Sequence, residues 1–184
     1  MTQQQQLFTT HPYLQKRWSA VGRKLAFSAA TRSEWQAWRL KLQKTLKEIT
    51  GYDTMQRTAL KPRITEERDF GSYRRQRVEI RTEPGIIMPL YVLIPKRGQA
   101  PFPAVIAAHG HGSGGKIAVA GCRDASADMP ERIAKYNYDY GVKLAEAGFV
   151  TFCPDARGFG ERREELARND PFQHCCQWLN NMAI

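Results

Sequence analysis

Pro103-Ala-Val-Ile-Ala-Ala-His-Gly-His-Gly-Ser-Gly-Gly-Lys116 is an apolar run without alternation that breaks into a glycine cluster. A strand covered on both faces reads as continuously apolar, so Pro103 to Ala108 is expected to be a parallel strand. The glycine-rich loop Gly110 to Gly115 then sits at its C-terminal end. Downstream, Tyr136, Tyr140, Leu144 and Ala147 share one helical face, Gly148 closes that helix, and Phe149-Val-Thr-Phe-Cys153 is a second buried strand before Pro154-Asp155. The order is strand, crossover helix, strand, the signature of a parallel pair.

Upstream, Gln76, Val78, Ile80 and Thr82 alternate with Arg77, Glu79 and Arg81. Pro84-Gly85 supplies a turn, and Leu90, Val92 and Ile94 continue beyond it. This predicts an antiparallel hairpin or meander with one face buried. Composition changes near Gly51. Before it, Thr31-Arg-Ser-Glu34 has the form of a capping box, and Trp35, Trp38, Leu42, Leu46 and Ile49 recur at helical spacing until Gly51 stops the helix. Tryptophans at this spacing are expected to pack against a neighbouring domain. The chain is therefore divided into a helical segment over 1–55 and an α/β segment over 60–184. A last helix is expected from Asp170 to Ile184, with Pro171 in its first position.

The 184 residues are 42% hydrophobic and 25% charged, the composition of a folded globular protein. No apolar run approaches the roughly 18 residues of a membrane-spanning helix. The N-terminus shows no signal-peptide pattern, which implies a cytoplasmic location and no membrane partner. Cys122, Cys153, Cys175 and Cys176 fit neither a disulfide framework nor a zinc site and read as free thiols. Lys and Arg outnumber Asp and Glu by 28 to 18, yet the basic residues never run more than two together. That scatter argues against a nucleic-acid partner.

Several chemistries compete for the glycine loop. Gly110 to Lys116 matches the phosphate-loop pattern G-x-x-x-x-G-K, but Ile117 stands where a magnesium-binding Ser or Thr belongs, leaving at most a degenerate nucleotide site. Ser113 lacks the first glycine of the G-x-S-x-G elbow, since His111 occupies it. His109 and His111 have a metal-ligand spacing, with only His11 and His174 left to complete a shell, and no cofactor or metal is expected. The reading that accounts for most residues is His109-Gly110-His111-Gly112 as an oxyanion loop, whose backbone N–H groups meet a substrate carbonyl without reorganising.

Two blocks carry a resemblance. Pro103 to Gly112, and Leu144-Ala-Glu-Ala-Gly-Phe-Val-Thr-Phe-Cys-Pro-Asp-Ala-Arg-Gly-Phe-Gly-Glu-Arg162, are similar to the N-terminal half of the α/β-hydrolase superfamily, most like its dienelactone hydrolase and acetyl xylan esterase branch. The resemblance implies an incomplete α/β-hydrolase fold, the first strands of a mostly parallel sheet. It also implies an ester substrate in a full-length parent, with Gly110, His111 and Gly112 in part of the oxyanion hole. Asp155, Arg157, Gly158 and Gly160 would brace the following loop. In that superfamily the triad runs Ser, Asp or Glu, His after the fifth strand, and no residue here is placed to supply it. The chain is thus expected to be the inactive N-terminal portion of a serine hydrolase. The alternative from another class is a non-catalytic interaction module or remnant, which G-x-S-x-G downstream would exclude. Lys116 and Arg123 are read as exposed charges, and Cys175 and Cys176 as packing residues. Without a fifth strand, Pro103 to Ala108 would be an unprotected sheet edge, so self-association is expected.

Overall fold

A computed structural model describes residues 10–111 and 114–165. The chain divides into two compact units, Met1–Met55 and Gln56–Ile184.

The first unit holds α1 (His11–Val21) and α2 (Arg32–Ile49). The capping box is complete: Glu34 N donates to Thr31 Oγ1 at 3.2 Å, and Glu34 Oε2 accepts from the Ala30 and Thr31 amides at 2.9 and 3.0 Å. Those two backbone donors hold the Glu34 carboxyl below the usual glutamate range. The helix stops where glycine permits it, Gly51 taking φ +65°. Trp38 packs within its own unit, its indole donating to Leu25 O at 3.0 Å and its ring meeting Phe27 edge-on at 4.9 Å. Helix α1 was not legible as a separate element, because its apolar residues form no dominant stripe.

The second unit is built on one sheet. Its strands are β1 (Arg63–Asp69), β2 (Tyr73–Glu83), β3 (Ile86–Pro95), β4 (Ala104–Ile106) and β5 (Val150–Pro154), in the order β1-β2-β3-β5-β4. The first three form the antiparallel meander, turned at Gly85 with φ +78°. Strand β5 inserts between β3 and β4, antiparallel to β3 and parallel to β4. The crossover from β4 to β5 runs through α3 (Lys116–Val119), α4 (Met129–Tyr136) and α5 (Tyr140–Glu146). The single crossover helix expected through Tyr136 and Tyr140 is broken. Asn137 adopts φ +55° at the end of α4, a conformation its short polar side chain tolerates, and Tyr136 is left exposed. The helix expected from Asp170 to Ile184 lies outside the described residues.

The two faces of this sheet differ. On the helical face Tyr73, Leu93 and Cys153 pack against Val119 and Ala145. On the opposite face Val78, Leu90 and Val92, with Ile80 and Phe152, line an apolar groove of about 780 Å³ that also takes in Leu60, Val105 and Ile106. One expectation changes accordingly. Strand β4 is not covered on both faces: it is three residues long, ends the sheet among the described residues, and leaves Ile106 74% exposed. The charged face of β2 is partly buried as well. Register pairs Arg75 with Leu93 and Arg77 with Tyr91, so the pleat turns these arginines toward the helical side, and Arg75 is only 4% exposed.

Among the described residues no helix is long and apolar enough to cross a membrane.

Candidate functional site

Strands β4 and β5 end side by side, with Ile106 opposite Phe152. Two segments lie beyond this end of the sheet, one holding His109–His111 and Gly114–Gly115 and the other running from Asp155 to Arg163. Asp155 follows β5 directly and is fully buried. A buried carboxylate needs donors on both oxygens, and it has them. Oδ1 accepts from Lys116 N at 2.8 Å, while Oδ2 accepts from Lys116 Nζ at 2.5 Å and Glu161 N at 3.1 Å. Close backbone approach makes room for these bonds. A Cβ on Gly160 or Gly115 would strike the Asp155 carboxylate, which explains the glycines on either side of it.

Lys116 is the correction of largest consequence. Rather than an exposed charge, it is fully buried, its amine held between Asp155 and Glu161 Oε1, each at 2.5 Å. Glu161 passes the charge on to Arg77, whose Nη2 meets Glu161 Oε2 at 2.5 Å, and Arg77 also pairs with Glu79 at 2.8 Å. Burial pushes the Glu161 carboxyl up, but hydrogen bonds from Arg77 and Lys116 outweigh it and hold it below the usual glutamate range. The result is a chain of alternating charges that ties β2, the glycine loop and the loop after β5 together. This geometry overturns the phosphate-loop reading. A phosphate would have to displace two carboxylates from a wholly buried amine, and α3, with four residues, is too short to present an anion-binding terminus.

His109 is committed to bracing. Its Nε2 accepts from Ala156 N at 3.0 Å, which fixes the proton on Nδ1, 3.0 Å from Gly110 O. Phe159 packs against both imidazoles, its ring centre 5.0 Å from that of His109 and 5.6 Å from that of His111. Gly110 and His111 are exposed at the strand ends, whereas Gly112 and Ser113 lie outside the described residues, as do His174, Cys175 and Cys176. Arg157 pairs with Glu83, and Arg162 Nη1 donates to Asp155 O at 3.1 Å, so the second loop is braced by guanidinium contacts as well. Arg123 is half exposed and meets Asp139 at 2.8 Å. Burial pushes both described thiols up, Cys153 to about 12, so neither is a ready thiolate. The roles of Lys116 and Glu161 were missed in the sequence. The only signal was an acid six positions after Asp155 in the Gly-Phe-Gly-Glu segment.

The sequence profile of the Abhydrolase family matches residues 3–173. The chain belongs to the Abhydrolase family. No curated protein matches it in sequence. Among solved structures, the Abhydrolase chain is similar to a Bacteroides fragilis protein described as an acetyl xylan esterase. The TM-score is 0.73 at 17% identity, over 100% of this chain and 48% of that one. It is also similar to Methylesterase BT1017, with a TM-score of 0.56 at 23% identity, over 84% of this chain and 32% of the other. At such identities the likeness is one of fold. The chain spans about half the length of the first structure and a third of the second.

Proposed function

We propose that this chain is the N-terminal portion of a serine-dependent carboxylic ester hydrolase, in which Gly110, His111 and Gly112 contribute backbone donors to the oxyanion hole. The observation that carries the reading is the placement of the glycine loop. It leaves the C-terminal end of a parallel strand pair with Gly110 and His111 open to solvent, above a base locked by Lys116, Asp155 and Glu161. Donors fixed in advance on a rigid base are what stabilisation of a developing oxyanion requires. The nucleophile and its partners would come from polypeptide beyond this portion, which would also cover the apolar face of β2, β3 and β5 left open among the described residues of the Gln56–Ile184 unit. The ester class is supported by the acetyl xylan esterase and methylesterase names of its structural neighbours.

The test uses a longer parent polypeptide carrying this sequence. Gly112→Val is expected to lower kcat by about 10²- to 10³-fold, the usual loss for an oxyanion donor, with KM little changed. Unchanged turnover in a folded variant would refute the assignment. The 184-residue chain alone should hydrolyse p-nitrophenyl acetate no faster than its Ser113→Ala variant.

A second expectation concerns association. Strand β4 is apolar, ends the sheet and carries none of the charges or bulges that protect natural edges, and the groove beside it is apolar too. The isolated chain should self-associate through this edge. Size-exclusion chromatography with light scattering would show it as species larger than 21.0 kDa. A monodisperse monomer with a sharp melt would mean that the edge is adequately protected.

A further inference from the structure

At the end of the sheet where Tyr73 pairs with Pro95, a cleft of about 530 Å³ opens on the helical face beside β1. Its base includes Arg75. The guanidinium lies over two aromatic rings, 4.6 Å from the centre of Phe70 and 5.0 Å from that of Tyr91, and Nη1 donates to Ala120 O at 3.0 Å. It forms no ion pair among the described residues, although Arg75 is only 4% exposed. Buried charges are ordinarily paired, because an unpaired one forfeits several kcal/mol of hydration.

The other cations of the cleft are already engaged. Arg68 pairs with Glu66 and Asp124, and Arg123 and Lys143 both pair with Asp139. Glu146 accepts from Ser72 Oγ at 3.3 Å and makes no ion pair with Arg75. Of the four cations that line the cleft, Arg75 is the one without a carboxylate partner among the described residues, and it is the buried one.

We propose that this cleft binds a small monocarboxylate, with Arg75 as its anchor. The single cation left without a carboxylate partner matches a monoanion. With only Nη1 hydrogen-bonded, to Ala120 O, the guanidinium keeps further N–H donors in its plane, the fork that pairs bidentately with a planar carboxylate. Phe70 and Val142 supply an apolar wall for a short alkyl tail. Self-association through β4 would leave the site open, since β1 and β4 are opposite edges of the sheet. The inference is independent of the ester hydrolase reading.

Ligand-observed saturation-transfer NMR with butyrate, on the full chain at constant ionic strength, tests it. The expected result is a saturable signal whose apparent affinity falls about tenfold or more in Arg75→Met, the loss of a charge-assisted bidentate pair. Glu146→Gln, an exposed substitution that removes a repelling carboxylate, should tighten binding about threefold. No saturable signal, or an unchanged one in a folded Arg75→Met variant, would overturn the proposal. If Arg75→Met does not fold, Glu146→Gln decides: unchanged or weaker binding counts against the site. Inorganic phosphate outcompeting butyrate would overturn the choice of a planar monoanion.

Discussion

Lys116→Met is expected to destabilise the Gln56–Ile184 unit by about 3–5 kcal/mol, measured by urea unfolding of the full chain at neutral pH. Methionine fills nearly the same volume, so the loss is electrostatic rather than a cavity. It leaves the fully buried Asp155 carboxylate without its counter-charge, and breaking one side of a buried pair costs far more than the pair contributes. Adding Asp155→Asn should recover part of the loss. Asparagine is neutral, and its carbonyl oxygen can still accept from Lys116 N, though its amide cannot accept from Glu161 N. The pH dependence has a definite sign. The Glu161 carboxyl lies below its ordinary value in the folded state, so its contribution is present above the unfolded-state pKa and is lost as pH falls through the folded one. Wild type therefore loses stability on the acid side of the usual glutamate range. Lys116→Met removes one of the donors responsible, so the gap between the two proteins should narrow there. A loss below about 1 kcal/mol at neutral pH would mean that water reaches the cluster and the pair behaves as a surface one.

The parts of this arrangement that local rules determine were legible in the sequence. The hairpin follows from alternation around Pro84-Gly85, the cap of α2 from Thr31 and Glu34, and the β4–β5 pair from two unbroken apolar runs with a crossover between them. What escaped depends on partners remote in sequence. A lysine after two glycines reads as exposed, and its partners Asp155 and Glu161 lie 39 and 45 positions away. Alternation in β2 marked one face of the strand as buried. Yet the apolar residues border the open groove while Arg75 lies under aromatic rings on the other face. Period-two patterns distinguish the faces of a strand but not which face a neighbouring layer covers. The oxyanion role of Gly110, His111 and Gly112 was read from residue types alone and remains a proposal; the structure describes Gly110, His111 and the Lys116–Asp155–Glu161 cluster beside them, while Gly112 lies outside the described residues.

Gly160→Ala is the single-methyl change expected to do comparable damage, about 3 kcal/mol or more by the same unfolding measurement. Two costs combine. Gly160 has φ +53°, where an L side chain typically costs about 1 kcal/mol. The added Cβ would also lie 2.6 Å from Asp155 Cγ and Oδ2, closer than any real contact, so the carboxylate must move off Lys116 or the loop must open. The two costs separate by comparison. Gly148 has φ +98° with nothing within 4 Å of a built Cβ, so Gly148→Ala should show backbone strain alone. In an Asp155→Ala background the obstructing carboxylate is gone, and Gly160→Ala should then cost little more than Gly148→Ala. The coupling energy from that double-mutant cycle measures how tightly the two loops are locked through Asp155. Additive effects of Gly160→Ala and Asp155→Ala would show instead that the glycine serves only its own turn, and the rigid base assigned to the oxyanion loop would lose its main support.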